Sequence, residues 1–119
     1  MSFEILAEGY GRRVRYWAAR ENELGKTLCN CPNIAQNDEK RILRYIKYYL
    51  EKGHFPNNKE KFKKIQNKDG LYEIKSYQMR LFGFFYRSEF IIVLCVQKKK
   101  DKHNPSDINK AVENIKKCK

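Results

Sequence analysis

Three runs decide the fold of this chain: Leu71-Tyr72-Glu73-Ile74-Lys75, Met79-Arg80-Leu81-Phe82-Gly83-Phe84-Phe85-Tyr86, and Phe90-Ile91-Ile92-Val93-Leu94-Cys95-Val96. Each is rich in β-branched and aromatic residues, the types that fit a pleated surface. Turn formers punctuate them: Asp69-Gly70 before the first, Ser76-Tyr77 before the second and Arg87-Ser88 before the third. Connections this short permit only antiparallel hairpins, so the three runs predict a consecutive meander. The third run has no polar face, which predicts a central strand covered on both sides.

Working outward, Asn37 or Asp38 is placed to cap a helix on which Ile42, Leu43, Ile46, Tyr49 and Leu50 recur at the spacing of one face. Gly53 is placed to stop it. The basic segment Lys59 to Ile65 is expected as a short helix that lays Phe62 and Ile65 on the core. Near the start, Phe3 and Ile5, then Val14, Tyr16 and Ala18, alternate around Gly9-Tyr10-Gly11 and read as one or two early strands. Residues 20–36 read as an irregular connection. After the meander, Asn104 followed by Pro105 is a strong helix start, and Ile108, Ala111, Val112 and Ile115 form one apolar face. The expected fold class is therefore α+β: a three-strand C-terminal meander plus an N-terminal strand in an antiparallel sheet, packed against α-helices.

The 119 residues suit a single domain, 1–119. With 41% hydrophobic residues, among them 7 Phe, 8 Tyr and 1 Trp, the chain can bury a core, so its 34% charged content does not signal disorder. The formal net charge is +12. Such a charge repels itself and points to a polyanionic partner, nucleic acid first, an anionic membrane surface or acidic protein next. The competing reading is a merely lysine-rich soluble surface. No apolar run approaches the ~20 residues of a membrane span, and the start lacks the pattern of a signal peptide. A cytoplasmic protein is expected, with no membrane partner. Cys29, Cys31, Cys95 and Cys118 are too scattered for a disulfide scaffold, which fits a reducing compartment. Cys29 and Cys31 stand one residue apart with no second pair, so no metal site and no cofactor are expected.

Three basic clusters are candidates for chemistry. Lys61, Lys63 and Lys64 precede the meander; Lys75 and Arg80 flank its first turn; Lys98, Lys99, Lys100, Lys102 and His103 follow its last strand. An arginine in an otherwise apolar strand is the most informative of these. Its planar fork grips phosphate oxygens through two bonds, whereas the structural alternative is an exposed sheet face or a pair with Glu73. Lys75 stands beside Arg80 if the hairpin register permits. His103 is a residue type suited to proton transfer near neutral pH.

Gly70-Leu71-Tyr72-Glu73-Ile74-Lys75, then Arg80-Leu81-Phe82 and the loop Lys99-Lys100-Asp101-Lys102-His103-Asn104-Pro105, resemble the RelE/HigB toxins of type II toxin–antitoxin systems, in particular phage-associated HigB-like members. The resemblance spans about residues 38–117; the N-terminal third matches in outline. It implies a RelE-like fold and metal-independent cleavage of messenger RNA at the ribosomal decoding site, with the ribose 2′-hydroxyl attacking the adjacent phosphate. It casts Arg80 as the phosphate clamp and Lys75 as base or charge stabiliser. Lys99, Lys102 and His103 supply further catalytic groups, while Lys61, Lys63, Lys64, Lys98 and Lys100 bind RNA. The partners implied are a cognate antitoxin, mRNA and the ribosome. Two departures stand out: Glu73 occupies a position that holds a second lysine in some RelE-type enzymes, and the loop lacks the usual threonines. The alternatives are a ParE-like gyrase inhibitor, which the basic set disfavours, and a catalytically inactive nucleic-acid-binding module.

Overall fold

The computed structural model describes residues 2–18, 36–58, 60–65, 70–76, 79–97 and 105–118. Their element order is β1 (Ser2–Gly9), β2 (Arg12–Ala18), α1 (Gln36–Lys52), β3 (Phe62–Lys64), β4 (Tyr72–Ser76), β5 (Met79–Tyr86), β6 (Glu89–Gln97) and α2 (Pro105–Cys118). The strands form one sheet in the order β1-β2-β6-β5-β4-β3. The expected meander is β4-β5-β6, with antiparallel pairing throughout. β6 is interior, as its lack of a polar face demands.

The sheet nevertheless departs from expectation in three ways. It is mixed, because β2 pairs parallel to β6, Arg13 opposite Glu89 and Tyr16 opposite Ile92. It has six strands, because the early alternation makes a full hairpin, β1-β2, turning at Tyr10-Gly11 with both residues at positive φ. That is the turn geometry whose twist suits a two-residue hairpin. Lastly, the segment expected as a short helix holds strand β3, paired antiparallel with β4. Rings explain the choice. As a strand residue, Phe62 slots between Phe55 (4.5 Å between centroids) and Tyr72 (5.3 Å), extending the stack that begins with Tyr49 on Phe55 at 4.7 Å. Edge contacts from Phe85 and Phe90 complete the cluster, and tertiary packing of this kind overrides the local helix pattern.

Each helix covers one face of the sheet. Ile42, Ile46, Tyr49 and Leu50 of α1 pack with Val14, Ile74, Met79, Leu81, Phe90 and Ile92. On the other face, Ala111 and Ile115 of α2 pack with Trp17, Leu71, Phe82, Phe84, Ile91 and Val93. Along β6 the alternation is reset once: Phe82 faces Leu94 but Gly83 faces Ile92, so Val93 is an inserted bulge residue. A bulge leaves a backbone group outside the ladder, and Asn114 of α2 donates its amide to Val93 O at 2.9 Å. Gly83 opposes this region, where a Cβ would come within 2.5 Å of Ile91 O and 2.8 Å of the Phe90 ring.

α1 ends where expected. Gly53 has φ +85 and donates its N–H to Tyr49 O at 2.8 Å, the single-bond left-handed cap. Arg12 then reaches across from β2 and donates to Leu50 O at 2.9 Å. The helix begins at Gln36, so Asn37 and Asp38 lie within its first turn rather than before it. Cys95 is disulfide-bonded and Cys118 retains a thiol. Cys29, Cys31 and Asn104 lie outside the described residues. No described helix is long and apolar enough to cross a membrane.

Two outcomes test this packing. Gly83→Ala destabilises the fold by about 1–3 kcal/mol through overpacking, read as a lower urea midpoint at unchanged slope. Burial raises the Tyr49 phenol above its ordinary 10.0, Arg12 acting to lower it and Glu89 to raise it. The fold therefore holds the neutral phenol: its contribution is complete below pH 10 and is lost as pH climbs above 10 toward the raised value. Tyr49→Phe gives a shallower loss of melting temperature across that alkaline window.

Candidate functional site

Strand alternation sorts the basic residues before any chemistry is considered. On β4, Tyr72 and Ile74 turn toward α1, which leaves Glu73 and Lys75 on the α2 face. On β5, Met79 and Leu81 join the α1 core, whereas Arg80 shares the opposite face with Phe82 and Phe84. The hairpin register sets Lys75 directly opposite Arg80 and Glu73 opposite Phe82. The expected Lys75–Arg80 neighbourhood is thus present, and Glu73 is the diagonal neighbour of Arg80 on that face.

Arg80 does not lie on an open sheet surface. It is 2% exposed and Glu73 is 1% exposed. Arg80 donates Nη1–H to Met79 O at 3.1 Å, and Lys63 Nζ lies 4.0 Å from Glu73 Oε1. Glu73, Lys75 and Arg80 are all engaged with their surroundings. Charges of opposite sign buried this deeply require partners, because water no longer solvates them. The corner therefore sets a buried carboxylate and a buried guanidinium on one face of the sheet, with half-buried lysines, Lys75 and Lys63, at its margin.

The first basic cluster does not stay together. As a strand, β3 sends alternate side chains to opposite faces. Lys63 joins Glu73; Lys64, opposite Tyr72, is exposed on the α1 side. Lys61 places its ammonium 5.6 Å from the centre of the Tyr45 ring on α1. Only Lys63 of the three reaches the Lys75–Arg80 corner. Lys98, Lys99, Lys100, Lys102 and His103 lie outside the described residues. Among the described residues no cluster of His, Cys, Asp and Glu is fit to hold a metal.

A second polar network, unanticipated from the sequence, occupies the other end of the same face. Glu89 is 7% exposed, with Arg13 Nη2 at 2.6 Å from one carboxylate oxygen and Arg15 Nη2 at 2.7 Å from the other. The signal was the alternation Arg13-Val14-Arg15, which puts two cations on one face of β2. What hid it was the partner, 74 positions away from Arg15.

The arrangement can hold an anion against lysine ammonium groups. Comparison with known proteins locates it in a family. Residues 32–116 match the family described as phage derived protein Gp49-like. The chain belongs to that family. The Gp49-like proteins are a RelE/HigB-type toxin family, so the resemblance carried by Gly70–Lys75, Arg80–Phe82 and the following loop holds, and the chain is a toxin-type protein of toxin–antitoxin systems. The match begins after β2, leaving the β1-β2 hairpin outside it. The Gp49-like chain is also similar to a chain in the crystal structure of the RelB-RelE antitoxin-toxin complex from Methanococcus jannaschii, at 18% identity and TM-score 0.47 over 55% of this chain and 75% of that one. No curated protein matches it.

The buried carboxylate has a measurable signature. Glu73→Ala removes a carboxylate that is 1% exposed from a corner that also buries Arg80, and costs about 3–5 kcal/mol, whereas Lys63→Ala, at a 4.0 Å half-exposed contact, costs less than about 1 kcal/mol. Equal losses in chemical denaturation contradict this assignment of the core of the site.

Proposed function

We propose that this protein is a cytoplasmic toxin that cleaves messenger RNA at the ribosome, acting without a metal, and that a cognate antitoxin restrains it. The observation that carries the reading is the pairing of Lys75 with Arg80 across one hairpin in a chain of the RelE/HigB toxin type. Cleavage by an adjacent 2′-hydroxyl needs a group to take the 2′ proton, cations to stabilise the crowded phosphorane, and a group to protonate the 5′-oxygen. Lys75 is assigned to the proton or to the developing charge. Arg80 is assigned to the scissile phosphate, and because it is 2% exposed, engagement requires the side chain to be uncovered as RNA binds. Lys99, Lys102 and His103 are assigned to leaving-group protonation and further charge stabilisation. Lys63 and Lys64, with Lys61, Lys98 and Lys100, are assigned to RNA phosphates. The net charge of +12 favours both RNA and an acidic antitoxin.

A gyrase-inhibiting toxin of the same fold is the second reading, and transcript ends separate the two. Inducing the wild-type gene yields new mRNA 5′ ends within codons; DNA breaks with intact transcripts instead support the gyrase reading. Lys75→Ala, at a half-buried margin residue beside the buried Glu73 and Arg80, lowers cleavage about 100-fold or more with little change in melting temperature. Arg80→Gln abolishes growth arrest. A folded Arg80→Gln protein that arrests growth fully sinks the assignment.

A further inference from the structure

Two tight turns meet at the end of the sheet away from Lys75 and Arg80. The β1-β2 turn carries Tyr10 at φ 55, and the β5-β6 turn carries Arg87 at φ 56. A non-glycine residue in the left-handed region is strained, and glycine or asparagine is the ordinary occupant of such turns. Here both positions hold large side chains, and both are exposed, Tyr10 by 75%. Strain kept at two adjacent turns, on side chains that stay exposed, is a sign of use rather than of folding. The turns are tied together: Arg13 N–H donates to Ser88 O at 3.2 Å.

Between them lies a notch of about 390 Å³ lined by Arg13, Arg15, Tyr86, Arg87, Ser88 and Glu89. Its floor is the near-buried Glu89, which holds one arginine on each oxygen. Arg13 is an ion pair there without hydrogen-bond alignment, and its side chain is 48% exposed. A guanidinium has five N–H donors, so one held by a carboxylate still presents donors to an anion on its open side. On the rim, Arg87 lies over the Tyr86 ring at 5.4 Å, and Tyr86 is 46% exposed. Glu89 and the exposed Glu8, opposite Arg13 on β1, leave the three arginines in excess by one charge.

We infer that this notch is a second RNA-binding site, in which Arg13 and Arg87 take phosphates of a single strand while Tyr86, and Tyr10 exposed on the adjoining turn, stack its bases. Arginines interleaved with exposed tyrosines are the chemistry of single-strand platforms: cations follow the backbone and every base offers a π-face. Glu89 is a positioning residue that fixes the two guanidinium groups before RNA arrives. Tyr86 shares the β5 face with Arg80, six residues or roughly 20 Å away, and α2, with Lys110, Lys116 and Lys117 exposed, covers the ground between. The site therefore extends the RNA track beyond the proposed cleavage corner. Arg13 and Arg15 lie outside the residues matched to the Gp49-like family, which makes the notch a feature of this chain's own hairpin. The inference rests on the preceding reading only in taking RNA as the molecule handled.

The test uses the purified full chain and a fluorescein-labelled 2′-O-methyl dodecauridylate, whose blocked 2′ oxygens separate binding from cleavage. Tyr10→Gly with Arg87→Gly removes the exposed side chains of both turns while relieving their strain, so the melting temperature is unchanged or higher. Its dissociation constant rises about ten-fold or more in fluorescence anisotropy. With one phosphate fewer neutralised, the slope of log K against log salt flattens by roughly 0.7. Arg13→Gln flattens it further. Unchanged affinity and slope in the folded double variant overturn the inference, and a Lys75→Ala protein that still loses cleavage then leaves the nuclease reading standing. Competition by polyglutamate as strong as by polyuridylate also overturns it, since the surface then suits an acidic protein. If notch-dependent RNA binding is present but induction produces no transcript cleavage, the nuclease reading fails and the notch stands.

Discussion

Burial of β6 on both faces is the constraint from which the rest of the molecule follows. A strand running Phe90-Ile91-Ile92-Val93 has no side that water solvates well, so each face needs an apolar cover. α1 supplies one and α2 the other. The backbone has the same need, met by β5 on one edge and β2 on the other. The Val93 bulge resets the alternation, yet the apolar residues on either side of it, Ile91, Val93 and Leu94, all remain under α2. The Asn114 amide then supplies the ladder bond that the bulge removed.

Polar chemistry is confined to what the helices leave uncovered. On the α2 face, Phe82 and Phe84 sit beneath the helix, and polar residues flank them at both ends of β5. The two ends are built alike: a deeply buried glutamate, Glu73 or Glu89, among cations. They differ in access. Arg80 is closed over, whereas Arg13 is half open to water. A closed guanidinium suits chemistry that begins only when a ligand displaces its cover; an open one suits capture.

Much of this is legible in the residue pattern. The meander, the place of β6, the Gly53 stop and the helix at Pro105 follow from local alternation, turn chemistry and capping, each encoded within a few positions. The cross-strand pair Lys75–Arg80 follows too, because a two-residue connection leaves little freedom of register. The errors share one physical cause: each depends on neighbours remote in sequence. β3 is a strand because Phe62 joins Phe55 and Tyr72; β2 is parallel to β6, opposite it at Arg13–Glu89, a pairing 76 positions distant. Reading β3 as a helix also keeps Lys61, Lys63 and Lys64 in one patch, and the two-fold alternation of a strand divides them. Arg80 stands out in the sequence as unusual, but its burial does not, since the sequence shows an arginine among hydrophobes without showing what closes over it.

The parallel pairing between β2 and β6 sets an order of assembly. Arg15 and Glu89 are 74 positions apart, so the β1-β2 hairpin is synthesised long before the strand that receives it. Local pairs form early and distant ones late, which leaves the inner edge of β2 unsatisfied while β3 to β5 are made. An open edge of that kind invites pairing with other chains. Arg13 and Arg15 keep that waiting edge charged and soluble, and only when Glu89 arrives do the same charges become the lock that seats the hairpin. The N-terminal hairpin is thus the one part of the sheet whose seat, β6, is synthesised after β3, β4 and β5.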